Sequence, residues 1–149
     1  MEFSDEESGE MTVVGLELRT SNADAFETIP AHWQQFSQQE VLDQIPGKLS
    51  DDVFAVYTHF SDEGRSNAGT YSLVVGAQVA AGSQVPAGLA GVTLAPQRRK
   101  VVSVEKGRPD QVAAKWQEIW QTDNLGNTYL ADYERYQASG EIDIFIGVM

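Results

Sequence analysis

The stretch Tyr133–Met149, YERYQASGEIDIFIGVM, carries the pattern on which the fold turns. Two apolar-aromatic runs flank a Ser139-Gly140 pair, which predicts a β-hairpin with Tyr133–Tyr136 as one strand and Ile142–Ile146 as the other. If Ser139-Gly140 is a two-residue turn, Ala138 pairs with Glu141, Tyr136 with Asp143 and Glu134 with Phe145. Alternation then puts Glu134, Tyr136 and Phe145 on one face. A three-residue turn with a bulge would shift every pair by one. Either way, the first strand sets the carboxylate of Glu134 between two tyrosines. Burying it there is costly unless a cation or hydrogen-bond donors meet it.

Upstream of the hairpin, one order of elements reads twice. Met11–Leu18 reads as a strand and Thr28–Val41 as a helix, with Thr28 as N-cap and Pro30 in the first turn. Val53–Phe60 is a strand, Ser61–Gly69 a polar loop and Tyr71–Val79 a strand. In the second half, Leu89–Leu94 is a short strand or arm and Lys100–Glu105 a strand. A helix follows from Asp110 to about Gln121, with Val112, Trp116, Ile119 and Trp120 as its apolar stripe. Asn124–Asn127 turns the chain into the hairpin. Three echoes keep the same order: HWQQF at His32–Phe36 with KWQEI at Lys115–Ile119, FAVY at Phe54–Tyr57 with YERY at Tyr133–Tyr136, and SLVVG at Ser72–Gly76 with DIFIG at Asp143–Gly147. They predict an α+β fold built as a tandem pseudo-symmetric repeat of two β-α-β-β units, residues 11–79 and 89–149. The units would form one curved, mostly antiparallel sheet with two main helices. In that register Glu134 corresponds to Ala55, so one half holds the acid and the other leaves space beside it.

A formal net charge of −12 on 149 residues repels nucleic acid and anionic membranes and attracts small cations. Glu2, Asp5, Glu6, Glu7 and Glu10 crowd the first ten residues without a base, so residues 1–10 read as a flexible acidic tail. That segment has no apolar run, and no secretory leader is expected. Thr70–Gln97 is uncharged, but Pro86, its glycines, Gln78, Ser83 and Gln84 argue against a membrane span. A cytoplasmic location is expected. The absence of cysteine excludes disulfides, zinc-thiolate sites and thiol catalysis. His32 and His59, the only histidines, have no partner at metal-ligand spacing, and no phosphate-binding glycine loop occurs. Neither a metal nor a cofactor is predicted. Arg98-Arg99-Lys100, the sole basic cluster, reads as a solvated strand entry.

At the hairpin the chain resembles the GyrI-like small-molecule-binding domain, also called the AraC-type effector-binding domain. The family's terminal pattern is an aromatic-Glu-x-Tyr strand, a short turn and a Glu-Ile-Asp-Ile-Tyr-Ile-Pro-Val-like strand. Here Tyr133-Glu134-Arg135-Tyr136 and Glu141-Ile142-Asp143-Ile144-Phe145-Ile146-Gly147-Val148 stand in those places. Val13-Val14-Gly15-Leu16 and the Trp116–Trp120 helix extend the likeness over residues 11–149. Phe145 replaces the usual tyrosine and Gly147 the usual proline. The resemblance implies a tandem of two β-α-β-β units. It also implies that the chain senses or sequesters lipophilic ligands, often cationic drugs and dyes. The chain has no room for a DNA-binding helix-turn-helix. It looks like a free-standing member, close to the cationic-drug-binding kind carried on mobile integron gene cassettes.

The ligand expected is therefore an amphipathic organic cation, held in a cleft between the halves, with no direct nucleic-acid or membrane contact. Glu134 is the expected counter-charge, with Tyr136 and Phe145 beside it. The competing reading places Glu134 in a surface ion pair. Tyr57, at the position matching Tyr136, would wall the pocket from the other side. Trp33 and Trp116, at equivalent helix positions, are candidates for the walls as well as for the core. Asp143, opposite Tyr136 in the two-residue-turn register, would add negative potential, and Asp132 and Glu141 share the hairpin. Two alternatives differ in class. A hydrolase of reactive lipophilic compounds would use Glu134 as general base. A protein-interaction or inhibitor module would have a regulatory protein partner.

Overall fold

In the computed structural model, which describes residues 2–122 and 124–149, both halves form the elements their patterns dictate. The strands are β1 (Ser4–Ser8), β2 (Met11–Ser21), β3 (Val53–Thr58), β4 (Thr70–Val79), β5 (Ala90–Leu94), β6 (Gln97–Val104), β7 (Ala131–Tyr136) and β8 (Ile142–Val148). The helices are α1 (Ala25–Gln38), the short α2 (Val41–Gln44) and α3 (Val112–Trp120), the last preceded by a 3-10 turn at Pro109–Gln111. Helix α1 starts ahead of Thr28, which lies inside it. The Thr28 hydroxyl donates to the Asp24 carbonyl at 3.1 Å, while Asp24 takes the cap position. Among the described residues no helix is long and apolar enough to cross a membrane.

All eight strands join one antiparallel sheet in the order β1-β6-β8-β7-β3-β4-β2-β5. The order is a palindrome of the two halves, with β7 and β3 at its centre. There Ala55 pairs with Glu134, Phe54 with Arg135 and Val56 with Tyr133. Exchanging FAVY with YERY leaves this set of pairs unchanged, so the pseudo-two-fold axis passes between Ala55 and Glu134. The third echo is out of step. Ala55 pairs with Val75, and Glu134 with Ile144, so Val75 corresponds to Ile144 rather than to Ile146. A two-residue slip keeps apolar alternation intact, and for that reason the sequence likeness did not expose it.

Both sheet faces are buried. Val14, Ala55, Leu73 and Val75 pack under Phe36 of α1, while Val102, Ile144 and Ile146 pack under Val112, Trp116 and Ile119 of α3. The other face curls on itself around Val13, Phe54, Val56, Val74, Tyr133 and Phe145. Gly15 and Gly76 face each other across strands β2 and β4. A Cβ on Gly76 would lie 1.9 Å from the Val14 carbonyl oxygen.

The hairpin closes on three residues, Ala138-Ser139-Gly140, not two. Gly140 takes φ +99° and donates its N–H to the Gln137 carbonyl at 2.9 Å, while Gln137 donates to the Glu141 carbonyl at 2.9 Å. Every pair shifts by one, which corrects two site assignments. Phe145 pairs with Tyr133 and stacks on it, with ring centroids 4.5 Å apart, on the face away from the helices. Asp143 pairs with Arg135 and accepts a hydrogen bond from the Ser103 hydroxyl at 2.8 Å. Neither shares a face with Glu134.

Residues 4–8, read as flexible tail, form edge strand β1 on β6. Asp5, Glu6 and Glu7 lie opposite Lys100, Arg99 and Arg98, and Asp5 makes an ion pair with Lys100. The basic cluster is therefore the complement of the acidic one. Arm β5 makes the symmetry-related contact on β2.

Candidate functional site

Helices α1 and α3 lie on one face of the sheet and leave a cavity of about 520 Å³ above the central strands. Its geometry follows the pseudo-two-fold. Trp33 of α1 meets Tyr136 edge-on at 5.1 Å, and Trp116 of α3 meets Tyr57 edge-on at 5.4 Å. All four line the cavity with Glu134, so five of the seven predicted residues come together; Phe145 and Asp143 do not.

Glu134 breaks the symmetry. It is 1% exposed and pairs across the β3–β7 ladder with Ala55, so only one half carries an acid at this position. The Tyr57 hydroxyl donates to Oε2 at 2.8 Å, Trp116 Nε1 donates to Oε2 at 2.6 Å, and the Tyr136 hydroxyl donates to Oε1 at 2.5 Å. All three donors are neutral, and no lysine, arginine or histidine of the described residues lines the cavity. Burial pushes the Glu134 carboxyl above the usual carboxylate range, and the three donors pull it back. Burial and the neighbouring carboxylate push the Tyr57 and Tyr136 hydroxyls well above the usual tyrosine range, which keeps them protonated as donors. Tyr71, also on the wall, is pushed up to about 12 by burial and then by Glu134. The site is thus a buried carboxyl in an aromatic cage, held by three neutral donors, with no cationic side chain among the described residues that line it.

Two further acids line the cavity. Asp132, on the face of β7 shared with Glu134, is buried and accepts the Gly147 N–H on Oδ1 at 2.7 Å. Burial raises its carboxyl to about 6, against smaller opposing effects of that bond and of Arg99. Asp110, at the exposed rim, pairs with Arg108 at 2.9 Å. Sequence reasoning missed Phe26, which lines the mouth at 89% exposure. Its spacing from Ile29, Pro30 and Trp33 is one helical stripe, a signal that points to the cavity.

No curated protein sequence matches the chain. Solved structures share its fold. An integron cassette protein from the mobile metagenome of Vibrio cholerae, VCH_CASS2, superposes with a TM-score of 0.76 at 20% identity, covering 99% of this chain and 95% of that one. A Staphylococcus aureus MU50 protein gives 0.78 at 18% identity, covering 99% and 98%. SAV2435, solved bound to tetraphenylphosphonium, gives 0.77 at 18% identity, covering 100% and 94%. The sequence profile of one family spans residues 6–148, and the chain belongs to that family, the integron-associated effector binding proteins.

Proposed function

We propose that this protein binds amphipathic organic cations in the cavity between α1 and α3, as a sensing or sequestering module. Glu134 is the counter-charge, and Trp33, Tyr57, Trp116 and Tyr136 are the walls. The observation that carries this reading is the state of Glu134. It is a buried carboxyl with three neutral donors and, among the described residues, no cation beside it, facing a cavity lined with π-faces. A bound cation supplies the missing charge, and the rings add cation–π attraction. The acidic balance of the whole chain raises the local concentration of such ligands and disfavours nucleic acid. The tetraphenylphosphonium complex of SAV2435, which has the same fold, supports the ligand class.

Thermal unfolding tests the reading with tetraphenylphosphonium against tetraphenylborate, an anion of the same shape. A ligand at about 100 times its Kd adds about 2.7 kcal/mol of stability, enough to raise Tm by several degrees. Stabilisation by the cation alone is expected. Equal shifts with the anion would contradict it.

A further inference from the structure

Glu134 shares its cavity with a second buried acid. Asp132 lies two residues earlier on the same face of β7, about 7 Å away along the strand. It is 6% exposed. Its side chain is positioned by one bond. The β7–β8 ladder ends at Tyr133 and Phe145, and Asp132 Oδ1 accepts the Gly147 N–H in place of a strand carbonyl. Its other oxygen accepts no hydrogen bond among the described residues. Arg99 is the cation whose charge reaches it, but no ion pair joins them. The Arg99 guanidinium donates from Nη1 to the Ala131 carbonyl at 2.9 Å and stacks over Tyr133, on the opposite face of β7. Two buried carboxyls therefore face one cavity whose described wall carries no basic side chain. Burial raises both from their ordinary values, Asp132 only to about 6, so near pH 8 Asp132 is charged.

Tyr57 joins the two acids. It stands opposite Asp132 across the β3–β7 pair, yet its hydroxyl reaches Glu134. Its ring spans the gap between them, and the Trp116 ring packs against it. A ligand with one positive charge neutralises one acid and leaves the other buried and uncompensated. We propose that the cavity is built for dications: amphipathic ligands with two positive charges about 7 Å apart, one at Glu134 and one at Asp132, and an apolar linker lying on Tyr57. This rests on the cation-binding reading above and assigns it a narrower ligand class.

Calorimetry at pH 8 with a series of polymethylene-linked bis-pyridinium salts tests it, each compared with the N-alkylpyridinium of equal length. The proteins are the parent, Asp132→Asn and Glu134→Gln. Asparagine keeps an Oδ1 acceptor for Gly147, and a melting curve verifies that the variant is folded. A bis-pyridinium of intermediate spacer should bind the parent about tenfold tighter than its monocation. Asp132→Asn should abolish that advantage, weakening the bis-pyridinium more than the monocation. Equal affinities in the parent, or an advantage that survives Asp132→Asn, would overturn the inference. If the monocation binds through Glu134 while the second charge adds nothing, only the inference falls. If neither ligand binds, cation binding itself falls with it.

Discussion

Tyr57, Tyr136 and Trp116 give Glu134 three hydrogen bonds but no opposite charge. Removing one donor leaves that buried acceptor short of a partner. Tyr57→Phe should lower stability at pH 8 by about 1–3 kcal/mol in urea unfolding. The buried titratable groups make apo stability depend on pH in opposite senses. The Asp132 carboxyl is raised from 3.8 to about 6, so the native state binds its proton more readily than the unfolded chain. Its contribution is full below 3.8 and is lost as pH rises through about 6. His32 is buried on α1 with Nε2 at 2.8 Å from the Leu16 carbonyl, and burial lowers its pKa below 6.5. Its contribution therefore falls as pH drops below 6.5. In Asp132→Asn the loss of stability between pH 4 and 6 on raising pH should become smaller but not vanish, because the Glu134 carboxyl is raised in the same sense. Chemical denaturation at a series of pH values reads both slopes.

Among the elements, the two edge arms are topologically equivalent but not energetically so. β5 buries Val92 and Leu94, whereas β1 exposes nearly every side chain and relies on its ladder and on charge facing Arg98, Arg99 and Lys100. Exposed ion pairs are screened by salt. Raising salt should speed amide exchange in residues 4–8 and leave residues 90–94 unchanged. Where β2 and β4 approach, no side chain fits. Gly76→Ala should cost about 2–4 kcal/mol in denaturant unfolding, because the Cβ would meet backbone rather than a movable side chain. These elements also mark where sequence reading stops. The strands and both main helices follow from period and breakers. The hairpin register does not, because it depends on whether the chain enters the left-handed region at Gly140 after two loop residues or one. β1 has no apolar period at all, and its partner charges lie more than ninety residues away on β6. Phe145 and Asp143 were misplaced by that one-residue register. Glu134, Tyr136, Tyr57 and the two tryptophans were recoverable because the internal repeat fixes them independently of the turn.

At the level of the whole molecule, duplication explains why the cavity exists. Two copies of one unit meet at β3 and β7, each bringing a tyrosine and a tryptophan, and the axis between Ala55 and Glu134 is where a single acid can face both. On the proposed function, the asymmetry of that one pair makes a symmetric aromatic cleft charge-selective. On that reading, burial penalises the charged form of Glu134 and a bound cation offsets the penalty. Glu134→Gln keeps size and removes charge. The direct test is calorimetric titration of tetraphenylphosphonium into the parent and into folded Glu134→Gln at pH 8. A loss of about 1–3 kcal/mol of binding free energy, with an apo variant no less stable than the parent, is the predicted result. Unchanged affinity in the folded variant would contradict the account.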